Sequence, residues 1–306
     1  MPATSSSLPG IWPALLTPLD AELNIDHAKF AAHSRTLIAA GCGGVTPFGT
    51  TGEGPSFGLD ERRAAIDALV AGGVPGAQIL VSTSCAALPE TLALTKHALS
   101  VGAWGCLMLP PFFLKGVSDE GIVDSYRSVI DGAADPRLRI MLYHIPQVAG
   151  VGLSHAVIAE LKRLYPDTIV GIKDSQCDRA HSVALAEAFM STVTVHVGNE
   201  PDLPELGRLG STGAVSGLAN FMPRLVQRLV SQYDAPGAAQ DLARVKALLA
   251  LLGGYALIPA LKGIMSMLSG DKAWLRVRPP LVAMTPAQHA ALERQVRAFG
   301  IDPSRD

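Results

Sequence analysis

Val170-Gly171-Ile172-Lys173-Asp174 is a short apolar run of β-compatible composition that delivers one lysine to its end and then breaks into polar residues. Burying an ammonium group costs several kcal/mol unless the amine gives up its proton, so such a strand is an odd construction for stability alone. A neutral, strand-anchored amine is a nucleophile toward carbonyl carbon. Read in isolation, the same lysine is equally a side chain that snorkels from a strand end to water. The surrounding chain decides between these.

On either side of this strand, short apolar runs alternate with longer helical patterns. The predicted strands are 11–16, 44–48, 78–83, 105–109, 139–144, 169–173, 193–197 and 213–216. Helical patterns separate them at 26–40, 59–71, 88–101, 118–131, 154–164, 178–190, 202–209 and 223–233, several opening on a capping residue such as Asp26, Ser118 or Ser154. Strands separated by single helices pair in parallel through right-handed crossovers, and eight such units predict a (β/α)8 barrel, an α/β fold. A doubly wound open sheet is the competitor, but no phosphate loop follows the first strand. The expected division is a frayed tail over 1–9, a catalytic barrel over 10–234 and a C-terminal helical extension over 235–306. That extension holds helical patterns at 238–252, 255–268 and 286–299, with the proline-fixed stretch Trp274 to Pro280 between the last two.

Composition narrows the function classes. Hydrophobic residues make up 48% of the 306 residues and mean hydropathy is +0.29, as expected for a heavily buried chain. No apolar run is long enough to span a bilayer, and the Ser/Pro-rich start lacks the pattern of a signal peptide. With 25 basic and 27 acidic residues and no single-sign run, nucleic acid and anionic membranes are poor partners. Cys42, Cys85, Cys106 and Cys177 form no CxxC pair, so no metal site is expected and buried free thiols in a reducing cytoplasm are.

In a barrel the reactive groups come from the C-terminal ends of strands. Gly49-Thr50-Thr51-Gly52-Glu53-Gly54 follows the second predicted strand, and its glycines and hydroxyls would make a carboxylate cradle or simply a capped turn. The fifth ends in Leu142-Tyr143-His144-Ile145-Pro146; counting by twos, Tyr143 shares the inward parity of Lys173, whereas His144 faces outward and is structural.

Four motifs then stand in order: GTTGE at 49–53, Tyr-x-x-Pro at 143–146, Gly-Ile-Lys-Asp at 171–174 and Gly-Ser-Thr-Gly-Ala-Val-Ser at 210–216, with Arg278-Pro279-Pro280-Leu281 near the end. Together they resemble the dihydrodipicolinate synthase / N-acetylneuraminate lyase family of class I pyruvate aldolases over nearly the whole chain. The resemblance implies that Lys173 forms a Schiff base with a 2-keto acid, that Tyr143 shuttles protons, and that Thr50 is its hydroxyl partner. It implies a carboxylate clamp from Thr51 with the Thr50 and Thr51 amides, and pocket lining by Gly198 and Val215. No cofactor is expected, and a homotetramer or homodimer is.

Two positions depart from the synthase pattern. Phe113 stands where those enzymes carry a tyrosine that enters a neighbouring subunit's site, and Val148 where they resemble one another in a carboxylate-binding arginine. Ser175, Asn199, Glu200 and Ser216 resemble positions that bind substrate hydroxyls in sialic acid lyases and 2-keto-3-deoxy sugar acid aldolases. The expectation is therefore a Schiff-base aldolase or dehydratase for a 2-keto-3-deoxy sugar acid. Dihydrodipicolinate synthase itself, a non-catalytic 2-keto-acid-binding barrel, and a phosphate-binding barrel using Gly210 to Gly213 are the alternatives.

Overall fold

Seven short strands form one parallel sheet in a computed structural model that describes residues 8–306: β1 (Gly10–Pro13), β2 (Leu80–Ser82), β3 (Gly105–Met108), β4 (Ile140–His144), β5 (Ile169–Asp174), β6 (Thr194–Val197) and β7 (Gly213–Ser216). Their order is β1-β7-β6-β5-β4-β3-β2. Parallel bridges Ala14–Thr46 and Val45–Ile79 link the two free edges through the segment between β1 and β2, so the sheet curls into a (β/α)8 barrel. The strand expected over 44–48 is thus reduced to two bridging residues. Pro47 has no N–H to offer a ladder, and Phe48 turns the chain away at φ 64°.

The helices are α1 (His27–Ala39), α2 (Leu59–Ala71), α3 (Leu88–Ser100), α4 (Asp119–Ala133), α5 (Pro146–Ala149), α6 (His155–Leu164), α7 (Arg179–Phe189), α8 (Leu203–Arg208), α9 (Pro223–Ser231), α10 (Ala238–Leu252), α11 (Leu257–Ser269) and α12 (Pro286–Phe299). Local chemistry starts several of them: the side chains of Asp26, Ser118 and Ser154 accept the N–H groups of Lys29, Gly121 and Val157 at 3.0, 3.2 and 3.1 Å. The four-residue α5 was not anticipated; it is a single turn opened by Pro146.

Alternation along the strands separates two apolar layers. Trp12, Leu80, Leu107, Met141 and Val215 fill the barrel's interior, while Ile11, Val81, Cys106, Leu142 and Ile172 pack outward against the helices. Leu8, within the stretch expected to fray, is fully buried with the interior cluster, and Pro9 accepts the Trp12 ring N–H; residues 1–7 of that stretch lie outside the described residues. Cys42 and Cys106 are buried as expected, but Cys177 is exposed, because it sits in the turn after β5 at φ 63° rather than in a strand. No single helix among the described residues is long and apolar enough to cross a membrane.

The C-terminal extension returns to the barrel mouth. Arg278 makes a two-pronged ion pair with Glu61 (2.9 and 2.8 Å), and its guanidinium also donates to the carbonyls of Leu23 and Ser56. Residues more than 200 positions apart are thereby tied across the loops that follow the first strands.

Candidate active site

Lys173 is the fifth residue of β5 and pairs in register with Tyr143 of β4, so both side chains enter the barrel at one level. Both are buried, Lys173 at 4% exposure and Tyr143 at 2%. The Lys173 Nζ lies 4.2 Å from the centre of the Tyr143 ring, against its electron-rich face. The Tyr143 hydroxyl meets Thr50 Oγ1 at 3.2 Å. The three residues for which the sequence suggests chemistry are therefore adjacent.

Thr50 is carried by a tightly folded loop. Gly52 and Gly54 both donate to the Gly49 carbonyl at 3.1 Å, and Thr17 Oγ1 donates to Gly52 O at 2.7 Å. A Cβ on Gly54 would overlap the Phe48 carbonyl, and one on Gly52 would come within 2.6 Å of Leu15 O, so only glycine fits at either position. Phe48 and Glu53 hold φ values of 64° and 57°, a left-handed conformation that costs each about 1–3 kcal/mol. Among the described residues, the N–H groups of Thr50 and Thr51 and the Thr51 hydroxyl have no partner.

The loop is tied to α11 by a pair that the sequence reading missed. Glu53 and Lys262 of α11 are buried, at 3% and 0% exposure, and their side chains form an ion pair. Lys262 also donates to Arg276 O at 2.7 Å, and the second Glu53 oxygen accepts the Arg278 N–H at 3.0 Å. The signal was present: Leu261-Lys262-Gly263-Ile264 is another lone lysine in an apolar run, as at Lys173.

Other expected residues divide into two groups. Gly198 backs Lys173, since a Cβ there would lie 3.2 Å from Lys173 Cε and overlap Ser175 Oγ; Val215 lines the interior at 1% exposure. The Ser175 hydroxyl has no partner among the described residues. Asn199, Glu200 and Ser216 are engaged elsewhere. Asn199 Nδ2 donates to Asp202 at 2.6 Å, Ser216 Oγ donates to Glu200 at 2.6 Å, and Glu200 and Ser216 accept the N–H groups of Leu218 and Ala219. Burial raises the Glu200 carboxyl above the usual range, opposed by these hydrogen bonds and by the charge of Lys173.

Val148 of α5 lines the mouth of the site and is 60% exposed, whereas Phe113 projects outward at 75%. His196 is another residue missed: it pairs in register with Lys173 on β6, is wholly buried, and neither ring nitrogen has a partner among the described residues. Burial alone lowers its pKa to about 3.

On the outer face, His144, Asp174 and His181 lie close enough together for a metal ion. Their hydrogen bonding opposes that use. His144 Nδ1 accepts the Leu153 N–H at 2.9 Å and Nε2 is 2.7 Å from Gln176 Oε1, so the ring is neutral with its proton on Nε2. A metal at Nε2 would require an imidazolate, whereas metal-bound histidines ordinarily donate their other N–H. Asp174 instead receives Ser182 Oγ at 2.7 Å, the Gln176 N–H at 2.9 Å and His181 at 3.0 Å, which anchors the end of the strand carrying Lys173.

Known proteins resemble this chain over nearly its whole length. The sequence pattern of the dihydrodipicolinate synthetase family matches residues 7–299. An uncharacterized DapA-like lyase from Chloroflexus aurantiacus is 31% identical over 287 residues, covering 92% of this chain and 94% of the relative. A 4-hydroxy-tetrahydrodipicolinate synthase from Thermus thermophilus is 31% identical over 275 residues, covering 87% and 88%. The crystal structure of dihydrodipicolinate synthase from Agrobacterium tumefaciens superimposes with a TM-score of 0.89 at 32% identity, covering 95% of this chain and 99% of that one. The chain belongs to the dihydrodipicolinate synthetase family.

Proposed function

We propose that this chain is a lysine Schiff-base lyase acting on a 2-keto acid, with pyruvate as product or donor. One observation carries the reading: a buried lysine faces a tyrosine whose hydroxyl meets Thr50, on a loop that leaves three donors without a partner among the described residues. Lys173 Nζ attacks the C2 carbonyl, and the resulting carbinolamine loses water to form an iminium ion. The Thr50 and Thr51 amides, with the Thr51 hydroxyl, hold the C1 carboxylate. Tyr143, in contact with Thr50, gives a proton to the departing C2 hydroxyl and takes one from the C4 hydroxyl. The C3–C4 bonding pair then moves into the iminium, C4 leaves as an aldehyde, and protonation of the enamine followed by hydrolysis frees pyruvate and the amine. The iminium is the electron sink, so the reaction needs no metal or organic cofactor.

A 2-keto-3-deoxy sugar acid is a second reading, favoured by the free Ser175 hydroxyl beside Gly198; loss of water is its alternative outcome. The engaged side chains of Asn199, Glu200 and Ser216 lend it no support. The name synthase carried by several relatives points to condensation of pyruvate with aspartate semialdehyde, but Val148 offers that substrate's carboxylate no cation. We further infer a homo-oligomer, a dimer or tetramer, from the exposed apolar pair Phe113 and Leu114.

Incubation with pyruvate and borohydride, followed by peptide mass mapping, tests the proposal. One reduced pyruvate adduct is expected on Lys173 and none in Lys173→Ala. An unmodified lysine in the native protein, or an adduct that survives the substitution, rejects the reading.

A further inference from the structure

Beyond the Thr50–Tyr143 pair the barrel mouth opens into a cavity of about 690 Å³, far more than a three-carbon keto acid fills. Its apolar walls come from five separate parts of the chain: Phe48 and Pro55 of the Thr50 loop, Leu109 after β3, Ile145 and Val148 after β4, Ile258 of α11, and Pro279 and Pro280 of the extension. None of its lining residues is cationic. Its single ionisable carboxyl, Glu53, is already held by Lys262 and the Arg278 N–H. The Ser84 hydroxyl accepts the Leu109 N–H at 2.7 Å and keeps its own O–H to donate. Ser56, Ser82 and Ser84 add hydroxyls away from the reacting end, and Lys173, Asn199, Glu200 and Ser216 lie outside this lining.

A substrate fragment entering this space exchanges water for hydrocarbon. An apolar group gains from that transfer, whereas a polyhydroxylated fragment meets only the hydroxyls of Ser56, Ser82 and Ser84, and a carboxylate finds no cation among the lining residues, Lys115 being tied to the Phe112 and Ala149 carbonyls. We propose that the fragment beyond C3 is an uncharged, apolar aldehyde, aliphatic or aromatic, rather than a hydroxylated or acidic one. This inference rests on the Schiff-base reading above. In the synthetic direction, the enamine carbon C3 attacks the aldehyde carbon, the C3–C4 bond forms, and the aldehyde oxygen takes a proton to become the C4 hydroxyl. Water then hydrolyses the iminium and returns the amine of Lys173.

The experiment supplies the full-length protein with pyruvate and, separately, benzaldehyde, hexanal, glyceraldehyde or aspartate semialdehyde, and follows adduct formation by mass and rate. Discrimination by apolar contacts of this kind is about 10- to 200-fold, so kcat/KM for benzaldehyde or hexanal should exceed that for glyceraldehyde at least tenfold. Ile258→Asn should narrow that ratio. Parallel borohydride trapping with pyruvate alone separates the two claims. A trapped Lys173 with glyceraldehyde or aspartate semialdehyde preferred, or with no adduct from either apolar aldehyde, overturns the inference and leaves the Schiff-base reading standing. Absence of trapping overturns the reading itself.

Discussion

Tyr143 holds two contacts at once, its ring face under the Lys173 amine and its hydroxyl against Thr50. Removing only the oxygen keeps the ring packed, so Tyr143→Phe should leave the circular dichroism spectrum and thermal midpoint close to the parent's. Loss of a positioned proton carrier should lower turnover by about 10²–10⁴-fold; unchanged turnover would remove Tyr143 from the mechanism. Val148 makes the complementary case for specificity. Val148→Arg, with Phe113→Tyr, adds a cation at the mouth and a phenol at the outward position, and should raise the rate with aspartate semialdehyde in a coupled assay. Failure to do so would mean that other residues decide the second substrate. Tyr143 was legible in the chain because strand parity is a local quantity, whereas Val148 was singled out by the resemblance to the synthase pattern.

At the scale of elements, α11 does more than close the C-terminal extension. Its Lys262 reaches a carboxylate 209 residues earlier, on the loop that presents Thr50 and Thr51. Breaking a fully buried pair leaves one charge without a partner, so Lys262→Met should destabilise the fold by about 3–5 kcal/mol in urea titrations. Adding Glu53→Gln removes the stranded charge, and the double variant should recover much of that loss. A double variant no more stable than Lys262→Met would refute the pairing as the cause. Helix starts at Asp26, Ser118 and Ser154 could be read in advance because a cap involves residues three apart. The strand expected over 44–48 could not be refined in that way. Whether Val45 and Thr46 extend a ladder depends on where β1 and β2 lie, which no window of sequence contains.

For the molecule as a whole, two buried histidines contribute to how stability responds to acid. Burial lowers His196 to about 3, and lowers His33 to about 4 against the opposing hydrogen bond to Asn220. Both start from 6.5, so between there and about pH 3–4 the unfolded chain binds more protons than the folded one. Their contribution is complete above 6.5 and is lost as pH falls, so the urea midpoint should decline through that window. His196→Leu should flatten the decline; an equally steep slope would show that other groups govern it. The exposed Phe113 and Leu114 bear on assembly. Sedimentation of the native protein should give a species larger than a monomer, and Phe113→Asp with Leu114→Asp should lower its mass. An unchanged mass would place the interface elsewhere.

The alternation of short apolar runs with helical patterns, the inward parity of Tyr143 and Lys173, and the glycine spacing of the Thr50 loop were all determined by the sequence itself. Each depends on the repeat of a strand or helix, or on the φ values that a glycine permits, and so on neighbours in the chain. Only the tertiary structure decided which hydroxyls remain free, that Glu53 is gripped by Lys262, and that the cavity above Tyr143 is walled by apolar side chains from five separate segments. Those outcomes depend on which distant groups a closed barrel brings within hydrogen-bond or van der Waals reach, a matter of three-dimensional distance that linear order does not encode.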